Sequence, residues 1–270
     1  MVATPLGNLS DLSPRAREAL ATADTIAAED TRRTGNLLRA LGLPKKPMLS
    51  YFAPKEHEKA RVILDRLESG QTVVLVTDGG TPGISDPGSV LMRGAHDAGI
   101  CVEPIPGPSA VALALSVSSA AGGAFVFEGF LPVKGGPRRK RLADFLDEPR
   151  PVVLYEAPHR IAALLTDAVA VLGGTRRATL VREGTKAFEE VVEAPLGELA
   201  ERFAEGARGE FVLVLEGGTE ARDHVTLDVA AVLQLALRAG LSPSQAAREV
   251  AELTGVPRSR LTRRARELGG

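Results

Sequence analysis

The chain has 270 residues, 44% of them hydrophobic and 25% charged, the balance of a folded globular protein large enough for more than one domain. Lys and Arg number 33 against 34 Asp and Glu, so the formal charge of −1 excludes coating of polyanions by bulk charge and leaves only local patches for nucleic acid. A single cysteine, Cys101, excludes a disulfide framework and a thiolate-rich metal site. The longest apolar run, near residues 110–117, is well short of a membrane span, and the N-terminus lacks a signal-peptide pattern, so a cytoplasmic protein is expected.

In chain order, apolar residues three and four apart predict helices at 15–23, 36–41 and 58–67. The β-branched run 72–77 (TVVLVT) reads as a buried strand, followed by a helix at 90–98, a strand at 100–105 and a helix at 110–117. Small residues and glycines at 118–123 (SSAAGG) read as a linker. Beyond it come strands at 151–155, 178–182 and 210–216, with a helix at 161–172. Strands alternating with helices predict an α/β fold built on largely parallel sheets. After a polar break at 217–224, helices are expected at 227–238 and 242–254, the second opened by Ser242-Pro243-Ser244-Gln245, with a third starting near Pro257. The expected organisation is thus an N-terminal α/β domain (1–118), a second α/β domain (119–220) and a small helical module (225–270).

The 28 glycines and 18 prolines concentrate in a few turns. The most informative is residues 77–88 (TDGGTPGISDPG), directly after a strand and before a helix. Four glycines permit positive φ and close approach of backbone to a ligand, and ligands bind at the carboxyl ends of strands in open α/β sheets. A rigid turn without a ligand is the bland alternative. No G-x-G-x-x-G, P-loop, G-x-S-x-G or H-E-x-x-H occurs, and the four histidines (His57, His96, His159, His224) are scattered, so no metal site is expected. Similar turns lie at 2–9 (VATPLGNL), 27–32 (AAEDTR) and 105–110 (IPGPSA), where Thr31 or Ser109 could equally be helix caps and Glu29 or Asp30 favourable charges at a helix N-terminus.

Together with 128–132 (EGFLP), 155–160 (YEAPHR) and 182–186 (REGTK), these segments, in this order and spacing, resemble the tetrapyrrole-methylase-like (class III) S-adenosylmethionine-dependent methyltransferases. Within that superfamily they look most like the small-subunit ribosomal RNA methyltransferase I group, which methylates the ribose 2′-hydroxyl of a cytidine. The chain begins almost at the end of the family's first strand. The resemblance implies two α/β domains with S-adenosylmethionine between them, and a homodimer. It implies that Gly80, Thr81, Pro82 and Ile84, with Asp78, form the cofactor turn. Pro5, Gly7, Ser109 and Ala110 would line the same pocket, and Tyr155, Glu156 and Arg182 would close over the adenine.

Methyl transfer to an alcohol is an in-line displacement that needs positioning, a proton acceptor and a cation for the emerging charge. Asp30 and Glu183 are the candidate acceptors, and Arg32 and Lys186 the candidate cations for phosphate or oxyanion; structural ion pairs at the cleft edge are the alternative. For RNA, two basic clusters stand out, Lys134, Arg138, Arg139, Lys140 and Arg141, and at the C-terminus Arg258, Arg260, Arg263 and Arg264. Such runs are also common on solvated faces. The expected partner is small-subunit ribosomal RNA or the assembled small subunit, with no membrane and no metal. A tetrapyrrole (precorrin-type) acceptor is the nearest alternative, and a non-catalytic RNA-binding or assembly protein is the third reading.

Overall fold

The computed structural model describes residues 1–218, 229–254 and 258–269, and contacts divide the chain into one unit, Met1–Gly218, and a second, Thr219–Gly270. Most of the expected polar break at 217–224, the turn residues Gly255 and Pro257, and the side chains of Arg258 and Arg260 lie outside the described residues.

The first half of Met1–Gly218 runs α1 (Pro14–Thr22), β1 (Thr25–Ala28), α2 (Thr31–Ala40), β2 (Met48–Ser50), α3 (Glu56–Glu68), β3 (Val73–Val76), α4 (Ser89–Asp97) and α5 (Ala110–Ser116). Its three strands form a parallel sheet in the order β2-β1-β3. Alternation along the strands divides the core: Ile26, Ala28, Val74 and Val76 pack with Ala16, Leu20 and Leu38 of α1 and α2. On the opposite face Ala27 and Leu75 pack with Ile63 of α3, Leu91 of α4 and Tyr51. Local chemistry sets the helix starts: Ser13 Oγ accepts from Ala16 N at 3.1 Å with Pro14 in the first turn, and Asp30 Oδ1 accepts from Arg32 N and Arg33 N at 2.8 and 3.2 Å.

The second half runs β4 (Val126–Phe130), α6 (Gly135–Ala143), β5 (Val152–Glu156), α7 (Ile161–Leu172), β6 (Arg177–Arg182), β7 (Glu190–Pro195), α8 (Leu196–Arg202) and β8 (Phe211–Leu215). These strands form a five-stranded sheet, β4-β5-β8-β6-β7. Leu142, Leu164, Leu165, Leu196 and Leu199 of α6, α7 and α8 cover one face through Leu154, Leu180 and Leu213. The other face takes α5, whose Val111 and Ala114 pack on Val153, Val181 and Val212. Helix α5, the last element of the first half, therefore packs on the second sheet.

Two expectations are corrected. The second sheet is mostly antiparallel: only β4 and β5 pair in parallel. Residues 183–189 between β6 and β7 are too few for a parallel crossover, which needs a dozen or more. The stretch 100–105 forms no strand; only Ile105 bridges, to Val2. Pro104 removes a ladder donor there.

The second unit contains α9 (Val229–Arg238), α10 (Pro243–Thr254) and α11 (Arg258–Gly269). It has its own core of Leu233, Ala246, Ala247, Val250, Leu261 and Ala265. A capping box opens α10: Ser242 N donates to Gln245 Oε1 at 3.1 Å, and Gln245 N to Ser242 Oγ at 3.4 Å.

Candidate active site

The strand-end turns of the two sheets converge on a cavity of 310 Å³. One wall comes from the first half: Leu6, Gly79 to Thr81, Ile84 to Asp86, Ser109 and Ala110. The facing wall comes from the second: Phe130, Tyr155 to Pro158 and Glu210 to Val212. The volume lies at the lower end of the range for small-molecule sites, about 300–1,000 Å³.

The turn at 77–88 is held open by its surroundings. Gly80 has φ +89° and exchanges two backbone hydrogen bonds with Thr4, each 2.9 Å, which lays the first loop against it. Thr81 Oγ1 donates to the Pro108 carbonyl at 3.1 Å, tying in the loop before α5. At the far end Gly88 has no side chain to cap α4. Glu56 does so from a distance, its Oε1 accepting from Gly88 N at 2.8 Å, Val90 N at 3.3 Å and the Tyr51 hydroxyl at 2.9 Å. Among the described residues, the three non-glycine residues with positive φ, Ser85, Glu183 and Thr185, all lie in loops around this region.

The lining of this cavity contains Asp86, Glu156 and Glu210 and no Lys, Arg or His. Burial, aided by the charges of Glu29 and Asp78, raises the Asp86 carboxyl to about 6. Burial also raises Glu156, whose side chain is fully covered. Glu156 Oε1 accepts from Ala157 N and pairs with Arg160, but Oε2 has no protein partner. The carboxylate is covered by protein and faces Arg160, so Glu156 contributes to this wall without offering an accessible oxygen. The cavity therefore favours a cation with an apolar body, and a phosphorylated ligand finds no counter-charge in its lining.

Of the residues assigned to the cofactor from sequence, Gly80, Thr81, Ile84, Ser109, Ala110, Tyr155 and Glu156 line this cavity. Pro82 is buried beside it without lining it. Pro5, Gly7 and Asp78 line a separate pocket of 110 Å³ on the other side of the first loop. Arg182 lines neither pocket, its guanidinium being engaged by the Arg208 carbonyl at 2.6 Å and by Glu190 at 2.9 Å. Sequence reading missed Asp86, Glu210 and Phe211; Asp86 lay within the quoted turn, whereas Glu210 and Phe211 sit at the start of a strand that carried no motif.

The four candidate catalytic residues form two groups. Asp30 caps α2, and the backbone N–H groups of Arg33 and Arg32 hold its carboxyl below the usual range; Arg32 is largely exposed and 3.5 Å from it. Lys186 Nζ lies 2.8 Å from Glu183 Oε1 and 3.0 Å from Glu210 Oε2. Its hydrogen bond lowers the Glu183 pKa. Burial opposes the Lys186 charge, but the two carboxylates outweigh it and raise its pKa, so the lysine stays protonated at neutral pH. The stem of Lys186 packs directly on Gly7 of the first loop.

The basic cluster around α6 is largely a structural network. Arg138 is only 6% exposed and lies 2.6 Å from Asp167, and Arg139 shares the same carboxylate at 3.0 Å. Arg141 grips Glu128 with two nitrogens and also reaches Asp144. Lys134 and Lys140 remain exposed, as do Arg263 and Arg264 on α11. Among the described residues no group of His, Cys, Asp and Glu could hold a metal ion, and no helix is long and apolar enough to cross a membrane.

Residues 1–200 match the family model for Tetrapyrrole (Corrin/Porphyrin) Methylases, and residues 223–269 match that of the RsmI C-terminal HTH domain. A relative from Xylella fastidiosa named ribosomal RNA small subunit methyltransferase I is 46% identical over 97% of this chain and 96% of its own length. The chain belongs to the ribosomal RNA small subunit methyltransferase I family. Relatives of the same name from Synechocystis and Escherichia coli O157:H7 are 44% and 42% identical, over 99% and 100% of this chain and 97% and 95% of theirs. The family shares its fold with solved tetrapyrrole methylases. The methyltransferase CobJ aligns with a TM-score of 0.60 at 20% identity, covering 81% of this chain and 93% of its own. Uroporphyrin-III C-methyl transferase from Thermus thermophilus, solved with S-adenyl homocysteine, aligns with a TM-score of 0.55 at 22% identity, covering 79% and 94%.

Proposed function

We propose that this chain uses S-adenosylmethionine to methylate the ribose 2′-hydroxyl of a cytidine in small-subunit ribosomal RNA, as a cytoplasmic homodimer acting on the assembled small subunit. The observation that carries the reading is end-to-end similarity. Relatives named for ribosomal RNA cover 97–100% of the chain, whereas the two solved tetrapyrrole methylases cover 79–81%. The acidic, apolar-walled cavity supports the cofactor. When bound, S-adenosylmethionine supplies a methyl group on a positively charged sulfur, and Asp86 is the lining carboxylate that suits such a cation, Glu156 and Glu210 being engaged by Arg160 and Lys186. Gly80, Thr81, Ile84, Ser109, Ala110, Tyr155 and Glu156 are the sequence-assigned residues that would hold it.

The chemistry left to the chain is to hold the alcohol and take its proton. A carboxylate poised nearer neutrality is the better acceptor. Asp86 meets that requirement, while Asp30 is committed to its helix cap and Glu183 to Lys186. Lys186, kept protonated, would steady the developing oxyanion or an adjacent phosphate, and exposed Arg32 a neighbouring phosphate.

Transfer of labelled methyl to small subunits lacking the modification, to free small-subunit RNA and to a tetrapyrrole precursor tests the reading. Label on a ribose 2′-oxygen after nuclease digestion is expected, stronger on subunits than on free RNA. Label on the macrocycle alone would overturn the acceptor. A solution mass near twice 28.3 kDa is expected for the homodimer.

A further inference from the structure

The smaller pocket, displaced from the cofactor cavity, has a composition of its own. Pro5, Gly7 and Leu37 give it apolar walls, and Arg33, Thr77 and Asp78 give it polar groups. It shares a partition with the cofactor cavity. On the first loop Leu6 lines the larger space while Pro5 and Gly7 line the smaller, and on the next turn Gly79 and Asp78 divide in the same way. A group seated in the small pocket therefore lies one loop's thickness from the cavity. Lys186 lies over Gly7 at this partition.

At ~10–15 Å³ of accessible space per water-sized group, 110 Å³ takes roughly seven to eleven heavy atoms, the size of a single nucleobase. Its polar edge is one acceptor beside one donor: Asp78 Oδ2 lies 3.1 Å from Arg33 Nη1, with Asp78 Oδ1 steadied by Asp30 N at 3.2 Å. The Thr77 hydroxyl is buried and acts on the Asp86 carboxylate, favouring its charged form. Cytosine presents an amino donor next to ring acceptors, and a carboxylate accepting from that amine is a favoured contact. Uracil offers an oxygen in the same place, which the Asp78 carboxylate would repel.

We propose that this pocket receives the base of the acceptor cytidine, unstacked from the RNA, with Asp78 accepting from the exocyclic amine and Arg33 donating to the ring acceptors. The proposal rests on the RNA reading above and adds to it the origin of base selectivity. No bond is made or broken in this pocket; it positions the nucleotide so that its ribose reaches the cavity.

The test compares reconstituted small subunits carrying cytidine or uridine at the modified position. Methyl transfer per unit time is measured on both for the wild type, Asp78→Asn and Arg33→Gln, and cofactor affinity is measured by calorimetry. The wild type should favour cytidine by about tenfold or more. Asp78→Asn, whose amide can donate to uracil while still accepting from Asp30 N, should shrink that preference by about tenfold with cofactor affinity within about twofold. Arg33→Gln, on a largely exposed side chain, should slow transfer to both substrates and serves where Asp78→Asn does not fold. An unchanged cytidine-to-uridine ratio in active Asp78→Asn protein would overturn the pocket assignment alone, as would cofactor affinity falling in step with transfer in either variant. If wild type puts no label on ribose in either subunit, the RNA reading fails and the pocket assignment falls with it.

Discussion

Asp86 carries the clearest pH consequence in the molecule. Burial, with Glu29 and Asp78 nearby, raises its carboxyl from 3.8 to about 6. The folded protein thus holds this proton more tightly than the unfolded chain does. The linked stability is fully present below about pH 4 and is lost as the pH rises through about 6. Asparagine at this position keeps the shape without the charge. Asp86→Asn should therefore melt higher than wild type at pH 8, by of order 1 kcal/mol once partial exposure is allowed for, and equal to it at pH 4. The same variant should lose at least tenfold in methyl transfer, because it removes the proposed proton acceptor. A variant that melts lower at pH 8, or that turns over normally, would remove Asp86 from the mechanism.

At the scale of elements, the turn 77–88 depends on a residue remote in sequence. Glu56, at the start of α3, supplies the cap that Gly88 cannot provide for α4. Glu56→Ala should cost about 1 kcal/mol and, by loosening the turn, weaken cofactor binding roughly fivefold, read by calorimetry. Normal affinity in a destabilised variant would confine Glu56 to the fold. Helix α6 separates two roles that its sequence merges. Arg138→Ala should destabilise by about 3–5 kcal/mol in thermal unfolding, since it leaves Asp167 buried with half its partners, whereas paired Lys134→Ala and Lys140→Ala should leave stability unchanged and flatten the salt dependence of RNA binding. The run KGGPRRKR showed its charge but not that Asp167 and Glu128, distant in sequence, consume three of its arginines. Periodicity identified α7 at 161–172 and strands β3, β5, β6 and β8 to within a residue or two, because their apolar faces are buried. It missed β2, β4 and β7, which pair at sheet edges and lack a continuous buried run, and β1, which is buried but only four residues long. The glycine-rich turns marked the cavity for a local reason, positive φ and close approach. The division of their residues between two pockets, which puts Pro5, Gly7 and Asp78 in the smaller one, depends on how one loop threads between strand ends.

For the whole molecule, the balance of 33 basic and 34 acidic residues means that RNA affinity must come from where charge is placed. The 310 Å³ cavity lies entirely within Met1–Gly218, and its charged lining residues are all acidic. RNA phosphates are repelled by such a surface unless basic groups elsewhere hold the backbone. The C-terminal unit offers them: α11 is arginine-rich, with Arg263 and Arg264 exposed, and the unit has its own apolar core. Removing residues 219–270 should therefore leave cofactor affinity, and the rise in melting temperature that the cofactor gives, within experimental error. The same truncation should weaken binding to small-subunit RNA by about tenfold or more. It should also lower the slope of log affinity against log salt by roughly one unit for each phosphate that the unit no longer neutralises. Equal loss of cofactor and RNA binding would instead make the helical unit a structural support for the α/β unit. Retention of full RNA affinity would place the phosphate-binding groups on Lys134, Lys140, Lys186 and Arg32.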